Sequence, residues 1–293
     1  MRDGRLSARI PERSPLNADL RRATRSDGSA RTRDGIRMSY TLHGDPASPR
    51  RAALVHSVAM DRQFWRPVAD RLAKDTAVVT FDCRGHGASD KPAGPYTVEQ
   101  FADDIADLLT QLGWDKTLIA GASMGGMVAL AFAARHPART SALGLIDTTA
   151  WYGAEAPKNW AARADQAVKQ GLQSLVDFQT TRWFGDDFRA SNPDVVQRCV
   201  DIFLKNDVPA YVEACHMLGR ADLRAALPTL KMPTAVVVGE EDYAAPVAMA
   251  QALHDGIAGS TFTVLPKARH LTPLEVPDII AAELDRLLAR AAK

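Results

Sequence analysis

From about residue 34 onward the chain alternates two hydrophobic periods. Residues 36–42 place apolar and polar side chains in turn, the pattern of a half-exposed strand. Residues 52–56 and 77–81 are short, nearly unbroken apolar runs, as expected of strands buried on both faces. Between them Phe64, Val68 and Leu72 recur at helical spacing. Residues 97–114 give the clearest helix: Val98, Phe101, Ile105, Leu108, Leu109 and Leu112 form one apolar stripe, with Asp103, Asp104 and Asp107 opposite. Thr97 with Gln100 predicts a capping box, and Gly113 sits where the helix should stop.

The same alternation continues with a strand over 117–120, a helix over 125–135 and a strand over 142–146. After a break come a strand over 235–238, a helix over 247–253, a strand over 261–265 and a final helix near 279–289. Strands alternating with helices imply an α/β class, with a mostly parallel, doubly wound sheet covered on both faces. The break, residues 151–230, holds no buried-strand run; its helical patches lie at 161–168, 172–178 and 195–204, and it is rich in aromatics. It reads as a helical lid inserted between two strands of the C-terminal half. The core is then 34–150 with 231–293, and residues 1–33 stand apart.

Composition adds a boundary condition. Of 293 residues, 46% are hydrophobic and 24% charged, as in a globular chain. No apolar run approaches the ~20 residues needed to cross a bilayer, so no membrane partner is expected. The net charge of +1 hides an asymmetry. Residues 1–33 carry nine arginines and four acids, which leaves 27 bases against 31 acids downstream. The body is therefore mildly acidic and offers no nucleic-acid-binding face. The basic segment lacks the apolar stretch of a secretory signal and is expected to be a disordered extension, or the product of an early start codon. Cys83, Cys199 and Cys215 are too few and too scattered for a disulfide framework or a zinc site, which predicts a reduced, cytoplasmic protein. Nothing in the sequence speaks to oligomeric state.

The candidate chemistry sits where strands end. Gly121-Ala122-Ser123-Met124-Gly125 follows a buried strand and opens a helix. A strand that turns at once into a helix strains its central residue, and side chains two positions either side would collide. The turn lifts the Ser123 hydroxyl clear of the sheet and places the Met124 N–H at a helix N-terminus, where it can stabilise an oxyanion. A serine needs a base and an orienting acid. Strand 235–238 runs into Gly239-Glu240-Glu241-Asp242, and strand 261–265 runs into Pro266-Lys267-Ala268-Arg269-His270. Both loops leave the sheet at the edge that carries Ser123. His270 is the preferred base; His56, which ends a strand near the site, is its rival, while His86 reads as part of a structural turn. Asp242 is the preferred acid, with Asp147, at the end of strand 142–146, as the alternative. The second oxyanion donor is expected from the loop after strand 52–56, as the backbone N–H of Val58.

These pieces resemble the α/β-hydrolase superfamily over roughly residues 34–293. The resemblance rests on His56-Ser57-Val58, Asp82-Cys83-Arg84-Gly85-His86-Gly87-Ala88-Ser89-Asp90, Gly121–Gly125, Asp242 and His270. One departure is Ser57, where many members carry glycine. Within the superfamily the chain resembles 3-oxoadipate enol-lactonases. The matching strings are Met60-Asp61-Arg62-Gln63-Phe64-Trp65, Gly94-Pro95-Tyr96-Thr97, Ser123 through Val128, and Asp147-Thr148-Thr149-Ala150-Trp151. They continue with Arg182-Trp183-Phe184, Ala221-Asp222-Leu223-Arg224, and His270-Leu271 with Glu275. Related esterases and cofactor-free perhydrolases share several of these strings.

The resemblance implies a serine hydrolase acting on a small lactone or ester through an acyl-enzyme, without a metal or organic cofactor. The alternatives are a broad carboxylesterase, a perhydrolase, or a ligand-binding protein that kept the fold. A lactone bearing a carboxylate wants a lid arginine; Arg182 is the first choice, with Arg163 and Arg220 also available. Trp151, at the lid's first turn, is expected to border the pocket.

Overall fold

A computed structural model of the chain describes residues 25–292. Eight strands form one sheet: β1 Arg25–Arg31, β2 Arg37–His43, β3 Arg51–Val55, β4 Ala77–Phe81, β5 Thr117–Ala122, β6 Thr140–Ile146, β7 Thr234–Gly239 and β8 Thr261–Leu265. Their order is β1-β2-β4-β3-β5-β6-β7-β8. Strands β3 to β8 run parallel, and β2 is antiparallel to both β1 and β4. The helices before the insert are α1 Arg66–Leu72, α2 Val98–Gln111 and α3 Met124–Arg135.

Burial explains this placement. All residues of β4, β5 and β7 are buried, so both faces of the sheet centre are covered. Helix α3, apolar on every side, is buried from Met124 to Ala133, whereas α2 buries only one face. The capping box at Thr97 and Gln100 is present, and α2 stops before Gly113, whose φ is 68°.

One boundary needs correction. Residues 25–31, expected to belong to a disordered extension over 1–33, form β1 and pair along their whole length with β2. The segment RSDGSAR buries only Ala30, so it has no hydrophobic alternation to announce it; an edge strand needs little, because only one of its faces meets the core. Thr32 and Arg33 follow β1 in the described structure, and residues 1–24 of the extension lie outside the described residues.

Between β6 and β7 the chain leaves the sheet for a run of helices: α4 Ala156–Gln170, α5 Val176–Trp183, α6 Asp186–Ser191, α7 Pro193–Leu204 and α8 Val208–Arg220. The two ends of this insert meet at an isolated antiparallel bridge between Trp151 and Asp222. After β7 come α9 Val247–Gly256, the one-turn α10 Thr272–Glu275 and α11 Pro277–Ala291. Among the described residues no helix is long and apolar enough to cross a membrane.

Candidate active site

Ser123 stands between β5 and α3 with φ 57° and ψ −120°, a backbone conformation that L-residues rarely adopt. The sequence tolerates it because its neighbours lack side chains. A Cβ on Gly121 would come within 2.0 Å of the Gly125 carbonyl oxygen, and one on Gly125 within 2.1 Å of the Val55 carbonyl oxygen. The strained residue is held on both sides: its N–H donates to the Ile146 carbonyl at 3.0 Å, and its carbonyl accepts from the Thr148 hydroxyl at 2.7 Å.

The structure brings three of the candidate residues into one hydrogen-bonded line. The Ser123 Oγ lies 2.9 Å from His270 Nε2, and His270 Nδ1 lies 2.8 Å from Asp242 Oδ2. With the carboxylate able only to accept, Nδ1 carries the proton and Nε2 is left to accept from the serine. The other Asp242 oxygen accepts from the N–H groups of Ala244 at 2.7 Å and Ala245 at 2.8 Å, and the side chain is wholly buried. Its loop therefore holds the carboxylate through bonds that do not involve the imidazole.

Asp147 is placed otherwise. It is buried, with φ 49°, and its oxygens accept from the Gly239 N–H at 3.2 Å and from the N–H and hydroxyl of Thr272 at 3.0 and 2.7 Å. Burial, then the neighbouring Asp242, pushes its carboxyl well above the usual range. It ties the end of β7 to the residue two beyond His270, and it makes no bond to the imidazole. His56, the rival base, is buried with Nδ1 against the Ser57 carbonyl at 2.8 Å, and its Nε2 accepts from the Cys83 N–H at 3.0 Å. Burial holds its pKa below the ordinary value. Both nitrogens are committed to backbone, so His56 shapes the loop rather than reaching Ser123.

That loop also resolves the departure at Ser57. Its left-handed residue is Ala59, φ 59°, while Ser57 supplies a carbonyl to His56 and to the Met60 N–H. The Ala59 carbonyl accepts from Asn206 Nδ2 of the insert at 2.8 Å. Val58, in this loop, lines the same cavity as Ser123, and the Met124 N–H opens α3 directly after it. Neither N–H donates to an acceptor among the described residues.

The cavity in front of Ser123 measures about 330 Å³. The core contributes Ser57, Val58, Ser123 and His270, and the insert contributes Tyr152, Trp160, Arg163, Phe178, Arg182 and Trp183. Among the described residues no carboxylate lines it. Arg163 donates to the Tyr211 hydroxyl at 2.8 Å and lies over the Trp160 ring. Arg182 donates to the Tyr243 carbonyl at 2.6 Å and lies over the Phe178 ring. Neither is paired with an acidic side chain among the described residues, and burial, then Arg163, lowers the Arg182 pKa. Arg220, by contrast, is exposed and reaches the Tyr96 carbonyl outside the cavity.

Trp151 requires correction: it does not line the cavity. It pairs with Asp222 at the neck of the insert, with the Arg224 guanidinium 3.7 Å from its ring centre. The bridge fixes its strand-like alternation, so its neighbour Tyr152 takes the inward position and faces the Ser123 hydroxyl. Burial raises the Tyr152 phenol to about 12, which keeps it a donor. Tyr152, Phe178 and Tyr243 are not marked as pocket residues by sequence; the aromatic density of the insert is the one signal for Tyr152 and Phe178, and Tyr243, in the loop after β7, has none. Among the described residues no group of three or more His, Cys, Asp or Glu side chains could hold a metal ion.

The fold, the strained serine turn and the sheet-edge loops define a class, and comparison with known proteins agrees. The chain belongs to the alpha/beta hydrolase fold family, whose sequence pattern spans residues 53–277. It is 30% identical to 3-oxoadipate enol-lactonase 2 of Acinetobacter baylyi over 261 residues, covering 88% of this chain and 96% of that one. The crystal structure of the enol-lactonase from Burkholderia xenovorans LB400 superposes with a TM-score of 0.85 at 32% identity, covering 89% of this chain and 100% of the other. A malate-bound thermophilic esterase from Thermogutta terrifontis gives 0.83 at 29% identity, covering 92% and 100%.

Proposed function

We propose that this protein is a serine hydrolase that opens small lactones bearing a carboxylate, in the manner of a 3-oxoadipate enol-lactonase. The observation that carries the reading is a Ser123–His270–Asp242 line opening into a cavity with two arginines that have no acidic partner among the described residues, and with no carboxylate among its described lining residues. The enol-lactonase and the malate-bound esterase among its relatives support it. On this reading residues 151–230 are the lid that selects the substrate, and the core carries the chemistry. The three cysteines, buried and free, suit a reducing compartment such as the cytoplasm.

Ser123 Oγ attacks the ring carbonyl while His270 Nε2 takes its proton, and Asp242 stabilises the imidazolium. Charge moves to the carbonyl oxygen, where the N–H groups of Val58 and Met124 receive it. Collapse breaks the acyl–oxygen bond, and His270 returns the proton to the ring oxygen, which stays tethered to the acyl chain. Water then attacks the acyl-enzyme, giving its proton to His270, and the released Oγ takes that proton back. Arg163 and Arg182 hold the remote carboxylate, so the carbonyl is presented to Ser123 in one orientation.

A fluorophosphonate should label Ser123 in the folded protein, and Ser123→Ala should abolish both labelling and turnover. A panel of enol-lactone, γ-lactone and p-nitrophenyl esters reads specificity. Strong preference for p-nitrophenyl esters would replace the lactonase reading with a broad carboxylesterase. Tight ligand binding without turnover would replace it with a binding protein.

A further inference from the structure

The catalytic histidine loop is held from two sides. On the core side Asp147 takes the Thr272 N–H and hydroxyl, and the Glu241 N–H donates to the Ala268 carbonyl at 2.9 Å. On the insert side the N–H groups of His270 and Leu271 both donate to one acceptor, the Trp183 carbonyl, at 3.2 and 3.0 Å. The frame of His270 is thus registered against the end of α5, a part of the insert.

Two side chains fasten that end. Arg269, adjacent to the histidine and 8% exposed, donates through Nη1 to the carbonyls of Thr181 at 2.9 Å and Phe184 at 3.0 Å, the residues that bracket Arg182 and Trp183. Its guanidinium is balanced by Asp186 at 2.9 Å and Glu241 at 3.4 Å. Glu275 accepts the Gly185 N–H through one oxygen at 2.7 Å and the Arg269 N–H through the other at 2.6 Å. A Cβ on Gly185 would lie 3.1 Å from the Lys267 carbonyl oxygen, so insert and loop meet backbone to backbone there.

We infer that Arg269 is a positioning residue for His270, acting with Glu275 to clasp residues 181–185 of the insert onto the histidine loop. The inference rests on the Ser123–Asp242–His270 reading above. A charged side chain this buried is costly unless it is compensated. Here Nη1 is used on carbonyls that flank the acceptor of the His270 N–H, while Nε makes no hydrogen bond and is balanced only by the Glu241 carboxylate. The segment it clasps also carries Arg182, whose contact with the Tyr243 carbonyl reaches the residue after Asp242. One short stretch of insert therefore touches both the acid loop and the histidine loop. Misplacing the imidazole by about 1 Å would cost rate at little cost in binding.

The test is Arg269→Met beside Arg269→Lys, on the full chain, with rates normalised to fluorophosphonate-titrated sites. Arg269→Met should lower kcat on the order of 10- to 100-fold, the scale of a misplaced catalytic group, with KM within about threefold because no substrate contact is lost. It should also shift or broaden the low-field proton resonance of His270 Nδ1–H. Arg269→Lys, one bond shorter but still a donor, should recover part of both. If Arg269→Met does not fold, Glu275→Gln serves: it keeps one accepting oxygen and should give a smaller loss, again in kcat. Wild-type kcat per labelled site and an unmoved resonance, in whichever variant folds, would overturn the inference. The Ser123 reading fails separately, if wild-type protein neither labels nor turns over.

Discussion

On the core side of the cavity, Ser123, Asp242 and His270 stand on loops that leave β5, β7 and β8 at one edge of the sheet, each with its backbone or carboxylate already bonded. On the insert side, Tyr152, Arg163 and Arg182 stand on a helical run that uses its own contacts sparingly. Arg163 has a phenol for a partner, Arg182 a single carbonyl, and Phe178 beside them is 44% exposed. The core wall has spent the side chains of Ser123, His270 and Asp242 on one another, while the insert wall leaves cationic donors toward the cavity. Committed groups preorganise a reaction, and uncommitted ones select what enters. On the proposed function the division assigns chemistry to one wall and specificity to the other, and it can be broken at either.

The largest effect should come from the core. Asp242→Asn keeps the shape of the carboxylate but offers an N–H where His270 needs an acceptor, so kcat should fall by about 10⁴-fold, the scale of a wrong imidazole tautomer. Asp147→Asn, at the other candidate acid, should lower kcat by less than about tenfold, since that carboxyl contacts Gly239 and Thr272 and not the imidazole. Steady-state kinetics on both variants decides the matter. A larger loss at Asp147 would move the acid to the other strand.

On the insert wall the expected loss is smaller and selective. Arg163→Met should cost on the order of 10- to 100-fold in kcat/KM for a carboxylate-bearing lactone, the weight of one charge-assisted hydrogen bond. A neutral γ-lactone should be nearly unaffected. Equal losses on both substrates would mean that Arg163 supports the wall and does not read charge.

The core side of this comparison was legible in the sequence because its signals are steric and periodic. Gly121 and Gly125 flank Ser123 for want of space, and the apolar runs that became β4, β5 and β7 can lie only inside. The order of serine, acid and histidine follows strand ends. On the insert side the same signals are ambiguous. Trp151 and Tyr152 are adjacent aromatics at the neck, and only the bridge to Asp222 decides which one faces inward. Arg182 and Arg163 were both visible as candidates, but whether an arginine has a carboxylate neighbour is a tertiary fact. Helix α8 buries Ala210, Tyr211, Ala214, Cys215, Met217 and Leu218 at helical spacing, but several of these are small residues that make a weak stripe, and β1 has a single buried side chain.

The buried polar groups of the core should also leave a mark on stability. His86 is buried beside His56, with ring centres 5.0 Å apart, and donates from Nδ1 to the Arg84 carbonyl. Burial, then His56, lowers its pKa to about 3 from an ordinary 6.5. An imidazole held below its ordinary value is protonated first in the unfolded chain. The stability it permits is therefore complete above about pH 6.5 and is lost as pH falls toward about 3. Each such group adds about 1.4 kcal/mol per pH unit to the slope in that window. Urea unfolding at pH 6 and pH 5 should show the slope in wild type and a slope shallower by about that amount in His86→Asn. An unchanged slope would show that the folded core accepts the proton.

The smallest effect separates two neighbours. Trp151→Leu removes a ring stacked on the guanidinium of Arg224, a half-exposed pair worth about 0.5–1 kcal/mol of stability, and should leave kcat/KM within about twofold. Tyr152→Phe changes one atom, yet that hydroxyl faces Ser123 inside the cavity, so kcat/KM should drop by about fivefold, the weight of one hydrogen bond. The ratio of the two, measured on one lactone, is the finest probe of where the specificity wall begins. If Trp151→Leu were the more damaging in kcat/KM while keeping its melting temperature, the neck of the insert would belong to the pocket, and the boundary between the walls would shift by one residue.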